Sequence, residues 1–196
     1  MSRKLALMIG ASAHTEEERE KDDYYATEPK ALELLLDTID FDLHRLIWEC
    51  ACGGGHLCNV LFDRGHYVLA TDVVNRDDTA MLRIDFLGVE DCQWSGDIIT
   101  NPPFKLAEKF VEKGLSVLED GRYLILFQRI MFLESSKRHE LFKRNPPKYI
   151  YVHSSRVGTA KGGDFEKYEG GGKTMCYAWY VWQKGTNEET ILRWIK

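Results

Sequence analysis

The sequence predicts an α/β layered domain built on a mostly parallel sheet, and three observations carry that expectation. Short apolar runs alternate with helix-patterned stretches from residue 46 to residue 127. Glycine turns punctuate that alternation, at Gly53-Gly54-Gly55, Gly65 and Gly121. Acids or an Asn-Pro-Pro triplet stand where the strand-like runs end. Strand and helix in alternation are the pattern of parallel strands joined by crossover helices.

The elements follow in order. Residues 1–23 end in a charged stretch and read as an N-terminal arm, and residues 24–196 read as a single domain. Thr27 is placed to cap a helix that Pro29 opens, with Leu32, Leu35, Leu36 and Ile39 at helical spacing. Leu46-Ile47-Trp48-Glu49 is a first strand, broken by the three glycines before the helix HLCNVLFDRG. Tyr67 to Asp72 is a second strand that closes on an acid. Asp97 to Thr100 is a third, stopped by Asn101-Pro102-Pro103, with a helix predicted from Lys105 to Leu118. Tyr123 to Phe127 is strand, Ser135 to Phe142 helix, and Tyr149 to Val152 strand. Residues 154–173 hold six glycines and read as a long loop. Cys176 to Trp182 is an aromatic strand, and a polar tail closes the chain. No helix long enough for a parallel crossover precedes that strand, so it is expected to pair antiparallel.

At 196 residues, 44% hydrophobic and 29% charged, the chain can bury a core without metal or disulfide staples. No apolar run approaches the roughly 20 residues of a membrane span, and nothing reads as a secretory signal. A cytoplasmic protein is the expectation. The five cysteines lack the second pair that a zinc site needs; Cys52, His56 and Cys58 are the nearest approach to one. Reduced cysteines acting as small hydrophobes, with no metal, are expected. Charge is unevenly spread. Residues 1–120 carry 12 basic and 24 acidic side chains, whereas residues 121–184 carry 12 basic and 5 acidic ones. That asymmetry predicts a side that faces a polyanion.

Three motifs sit at the carboxyl ends of strands, where open α/β sheets bind ligands. In Glu49-Cys50-Ala51-Cys52-Gly53-Gly54-Gly55, the glycines let the backbone approach a ligand closely. The spacing fits neither a dinucleotide fingerprint nor a P-loop, so a nicotinamide dehydrogenase is disfavoured. An acid before the turn suits a ligand with a positive amino group. Asp72 can accept hydrogen bonds from the vicinal hydroxyls of a ribose. Asn101-Pro102-Pro103-Phe104 is the sharpest motif. Its prolines withdraw two N–H donors and leave carbonyl acceptors beside the Asn101 side-chain carbonyl, an arrangement that can hold an –NH2 group. Phe104 offers a flat face to a base.

With these residues in view, the chain resembles the S-adenosylmethionine-dependent amino methyltransferases, and most closely the small phage and prophage DNA adenine-N6 methyltransferases, over about residues 24–182. The resemblance implies a Rossmann-like methyltransferase fold: a mostly parallel seven-stranded sheet, helices on both faces, and an antiparallel C-terminal strand. It implies S-adenosyl-L-methionine as cofactor, contacted by Tyr25, Thr27, Glu49, Ala51, Cys52, Gly53, Gly55, Asp72, Asp85, Phe86 and Asn101. It makes Asn101, Pro102, Pro103 and Phe104 the catalytic motif. Glu28 separates Thr27 from Pro29, which are adjacent in the family, and Asn101 stands where many adenine-N6 enzymes carry Asp.

The acceptor therefore stays open between adenine N6 in DNA, the leading reading, an amino group in RNA, and a protein glutamine amide. A cofactor-binding, non-catalytic partner subunit is the other alternative. The basic segment favours nucleic acid and supplies Arg129, Lys137, Arg138, Arg156 and Lys161 as candidate contacts, with Lys143, Arg144, Lys167 and Lys173 beside them. No separate recognition domain is visible, so short or relaxed sequence specificity is expected. The sequence does not indicate an oligomeric state.

Overall fold

The computed structural model describes residues 24–74, 76, 79–90, 92–161, 165 and 175–196. The expected 1–23 arm, Lys167 and Lys173 lie outside these. In chain order the elements are β1 (Tyr25–Thr27), α1 (Pro29–Thr38), β2 (Leu46–Glu49), α2 (His56–Asp63), β3 (Tyr67–Asp72), β4 (Leu82–Arg83), β5 (Asp97–Thr100), α3 (Ala107–Val117), β6 (Tyr123–Arg129), α4 (Ser136–Arg144), β7 (Tyr149–His153), β8 (Thr159–Lys161), β9 (Tyr177–Gln183) and β10 (Ile191–Ile195).

Eight strands form one sheet in the order β10-β7-β9-β6-β5-β2-β3-β4, and β1 with β8 forms a separate pair. Strand β9 runs antiparallel to both β6 and β7, as its missing crossover helix requires, while the other pairings in the sheet are parallel.

Alternation along the central strands splits the core into two layers. Ile125 and Phe127 of β6, with Trp179 and Val181 of β9, pack with Leu32 and Leu35 of α1 and Leu57 and Leu61 of α2. Leu124 and Leu126, with Tyr180 and Trp182, pack on the other side with Phe110 and Val111 of α3 and Leu141 of α4. Helices thus cover both faces of the sheet. Trp179 is fully buried, and its indole N–H donates to the Ala31 carbonyl of α1 at 3.0 Å. Trp179→Ala is expected to cost about 3–5 kcal/mol of unfolding free energy, measurable by urea denaturation.

Three sequence expectations need correction. The sheet has eight strands rather than seven: beside the six runs read as strands it holds β4, parallel to β3, and β10, formed by residues 191–195 of the supposed polar tail and parallel to β7. Strand β9 already runs the opposite way, so the short segment 184–190 can return the chain beside β7 without a helix. The 154–173 loop contains β8, whose backbone pairs antiparallel with β1, Thr27 opposite Thr159. Thr27 does not cap α1: it belongs to β1, and Glu28 is the N-cap residue, with no side-chain capping bond.

Candidate active site

Strands β5, β2 and β3 lie side by side, and the segments leaving their carboxyl ends enclose a cavity of about 270 Å³. Strand β2 and its turn contribute Glu49, Ala51 and Cys52; β3 contributes Asp72. The one-turn helix Phe86–Gly88 brings Phe86, and its cap residue Asp85 accepts from the Leu87 N–H at 3.0 Å. The four residues Asn101 to Phe104 follow β5 into the same cavity, and β1 lays Tyr25 and Thr27 across it. The fold thus gathers residues of all three strand-end motifs and the β1 strap at one place, while Gly53 and Gly55, expected as cofactor contacts, are buried beneath the turn and do not line the cavity.

Backbone geometry explains the glycine turn. Gly53 has φ +53°, and a Cβ there would fall 2.1 Å from a ring carbon of Tyr24. Gly55 has φ +77°, with Thr79 Cγ2 only 2.3 Å from where its Cβ would be. Both the left-handed backbone and the close neighbours exclude a side chain. Gly55→Ala is expected to lower stability by at least roughly 1–2 kcal/mol, read as a fall in melting temperature. The turn is tied to β3, where the Gly53 N–H donates to Asp72 Oδ2 at 2.8 Å and the Val74 N–H donates to Oδ1 at 2.9 Å. These bonds fix the carboxylate of Asp72 at the cavity wall, with Arg76 3.7 Å away. Tyr24, which the motif reading passed over, accepts from the Gly54 N–H at 2.7 Å.

Glu49 is the most unusual group in the site. Its side chain is 1% exposed, and among the described residues no basic side chain pairs with it. The Thr100 hydroxyl donates to Oε1, and the Ala51 N–H donates to the same oxygen at 3.1 Å. Burial pushes its pKa up to about 8, against the lowering effect of those two hydrogen bonds. A carboxyl held this way favours a ligand that brings a positive charge. Thr100 carried no mark in the sequence beyond ending a buried strand.

Asn101 is anchored and still has an acceptor to offer. Its Nδ2 donates to the Tyr25 carbonyl at 2.7 Å, while its Oδ1 is buried with no hydrogen-bond partner. The Thr27 hydroxyl is likewise buried without a partner. Buried polar atoms left unpaired cost roughly 1–3 kcal/mol each, and such atoms in a cavity mark where a ligand bonds. The Pro102 carbonyl receives a long contact, 3.5 Å, from Gln128 Nε2 of β6. Gln128 was also missed, although a polar residue closing the run Leu124-Ile125-Leu126-Phe127 is a legible signal.

Phe104 separates this cavity from a second one of about 400 Å³, lined also by Gln128, Arg129, Met131, Phe132 and Arg138. The Tyr25 ring packs on Phe104 at 5.9 Å, and the Arg129 guanidinium lies over the ring at 4.4 Å. Arg138 is engaged in bracing: its Nε donates to Glu108, and its Nη1 donates to the carbonyls of Met131 and Glu134. Lys137 is exposed and pairs with Glu108 at 3.3 Å. Arg156 is exposed in the segment leading into β8, and the Lys161 backbone pairs with Tyr25, so this segment adjoins the β1 strap. Among the described residues, no three His, Cys, Asp or Glu side chains gather to hold a metal ion, and no helix is long and apolar enough to cross a membrane. Cys50, Cys52 and Cys58 are buried free thiols.

No family model and no curated protein matches this chain. Solved structures do. A proposed class I S-adenosylmethionine-dependent methyltransferase from Listeria monocytogenes superposes with TM-score 0.62 at 16% identity, over 98% of this chain and 71% of that one. The fold is that of the class I methyltransferases. A modification subunit of a proposed type I restriction enzyme from Vibrio vulnificus shares it, with TM-score 0.57, 14% identity, and 96% and 49% of the two chains covered. So does an S-adenosylmethionine-dependent O-methyltransferase from Thermotoga maritima, with TM-score 0.53, 15% identity, and 89% and 72% covered. At 14–16% identity these likenesses show the fold alone, and a fold does not fix the acceptor, which has to be argued from the site.

Proposed function

We propose that this chain is an S-adenosylmethionine-dependent N-methyltransferase whose acceptor is an exocyclic amino group of a nucleic-acid base, adenine N6 in DNA first among them. The observation that carries the reading is the unpaired, buried Oδ1 of Asn101 in the same cavity as Glu49 and Asp72. The residues fit the cofactor. Glu49 meets a positive group, the Asp72 carboxylate is oriented for a ribose diol, and Phe86, wedged against Trp48 and Phe110, gives a flat wall for a purine. The Thr27 hydroxyl offers a further hydrogen bond.

When bound, S-adenosylmethionine supplies an electrophilic methyl group on a sulfonium. Asn101 Oδ1 and the Pro102 carbonyl accept hydrogen bonds from the acceptor –NH2. Two acceptors on its hydrogens draw the nitrogen towards a tetrahedral shape and free a lone pair otherwise delocalised into the base. With the methyl donor bound, that lone pair would be the nucleophile, and the proton that the alkylated nitrogen must then lose would pass to solvent. No strong base is needed; positioning and fixed dipoles do the chemistry. In a duplex the base must first leave the stack, at a cost of a few kcal/mol. The surplus of basic residues over 121–184 supports a polyanionic acceptor rather than a protein amide.

Labelled S-adenosylmethionine offered with duplex DNA, RNA and a protein extract in parallel tests the reading. The expected result is label in N6-methyldeoxyadenosine after digestion of the DNA. Label in RNA or protein alone would move the acceptor, and none in any of the three would refute the reading.

A further inference from the structure

Phe104 offers a flat face on which an acceptor base can stack, yet in the free protein that face is taken. The Arg129 guanidinium lies 4.4 Å from the ring centroid, too close for a base to share the surface. The Tyr25 ring, 5.9 Å away, lines only the first cavity. It is also fixed, since its backbone pairs with Lys161 and its carbonyl receives the Asn101 amide. Arg129 lines only the second cavity, so the face it covers is the one turned towards that space. A third neighbour, the Tyr177 ring of β9 at 6.1 Å, is buried and stacked on Phe127, so of the three Arg129 is the one free to yield. Among the described residues its guanidinium has no carboxylate or other hydrogen-bond partner, and its Nε is buried without one. A guanidinium held only by a ring face is weakly held, and it lacks an anion.

We infer, on the basis of the proposed function, that the acceptor base lies where the two cavities meet at Phe104, its amino edge at Asn101 and Pro102 in the first and its ring on the Phe104 face in the second, and that Arg129 is its place-holder. In the free protein the guanidinium covers Phe104. When the base enters, it takes that face, and Arg129 moves aside to bond a phosphate of the same strand. The exchange replaces one cation–π contact by charge-assisted hydrogen bonds. The site therefore selects acceptors that carry a planar base and a phosphodiester together, and a protein amide offers neither.

The two roles have opposite signatures in one variant. Binding of oligodeoxyadenylate and of adenosine, which lacks phosphate, is measured over a range of salt concentrations on the full chain saturated with S-adenosylhomocysteine, which keeps adenosine out of the cofactor cavity. Arg129→Ala is expected to weaken oligodeoxyadenylate roughly tenfold or more at low salt. Its slope of log affinity against log salt should be smaller in magnitude by about 0.7, one phosphate contact on a single strand. Adenosine, no longer competing with the guanidinium, should bind at least as well as to the wild type. Arg129→Lys keeps the charge and should restore the salt slope. A salt slope unchanged in Arg129→Ala, with S-adenosylmethionine binding intact, overturns the inference and leaves the proposed function standing. Adenosine weakened as much as the oligonucleotide also overturns it, because the guanidinium would then be holding the base itself. Failure of the wild type to bind S-adenosylmethionine would count instead against the reading beneath it.

Discussion

Glu49→Gln is expected to stabilise the ligand-free protein at pH 8 while weakening S-adenosylmethionine binding by one to two orders of magnitude. The two effects have one cause. Burial raises the pKa of Glu49 from 4.5 to about 8, so the folded state disfavours the carboxylate. A group whose folded pKa is raised contributes its full stability below its unfolded value. That contribution is lost as the pH rises from about 4.5 through about 8. Gln keeps the shape and the acceptor for Thr100 and Ala51 but never ionises. The gain at pH 8 is on the order of a few kcal/mol, or several degrees in melting temperature for a domain of this size. The same carboxylate is the counter-charge for a cationic ligand, and losing a charge-assisted hydrogen bond costs about 1.5–3 kcal/mol of binding. Wild-type affinity should accordingly climb between pH 6 and pH 8 as Glu49 ionises, and the Gln variant should lack that climb. Thermal melts and titrations at these pH values check both halves. A variant that melts lower at pH 8 and binds the ligand as tightly as the wild type would remove Glu49 from the site.

Asn101→Ala should abolish most methyl transfer, with kcat falling roughly 100- to 1000-fold, the usual effect of deleting one preorganised polar group at a reacting centre. Its melting temperature should change little, because Oδ1 is unpaired in the free protein and only the bond to the Tyr25 carbonyl is lost. That bond holds the β1 strap over the cavity, so a modest rise in the S-adenosylmethionine dissociation constant should accompany the rate loss. Asn101→Asp separates the two contributions. It keeps an acceptor facing the amino group but cannot donate to Tyr25, so transfer should exceed that of the Ala variant while strap-dependent affinity falls equally. Equal rates for Asp and Ala would mean that Oδ1 does not hold the acceptor.

The core of the fold was legible because its signals are local. Strand, glycine turn and helix follow one another in sequence, and the residues that close the cavity stand where β2, β3 and β5 end. The antiparallel β9 was legible too, from the missing crossover helix. Strand β10 was not, because its partner β7 lies some forty residues earlier and its flanks, Lys184 to Thr190, are polar. Strand β8 was hidden among glycines, and only its pairing with β1 makes it a strand. In the site, motif residues were found and their supports were not. Thr100, Gln128 and Tyr24 act on Glu49, Pro102 and the glycine turn through contacts that sequence spacing does not encode. Arg129 was marked for its charge, but its position over Phe104 depends on how β5 and β6 align.

Everything proposed for the acceptor rests on one claim, that the cavity at the ends of β2, β3 and β5 holds S-adenosylmethionine. A calorimetric titration of that ligand into the wild type and into Asp72→Ala tests it most directly. One-to-one binding by the wild type is expected, with affinity reduced at least tenfold in an Asp72→Ala variant that still folds. A folded wild type that gives no heat and no thermal stabilisation with the ligand would contradict it.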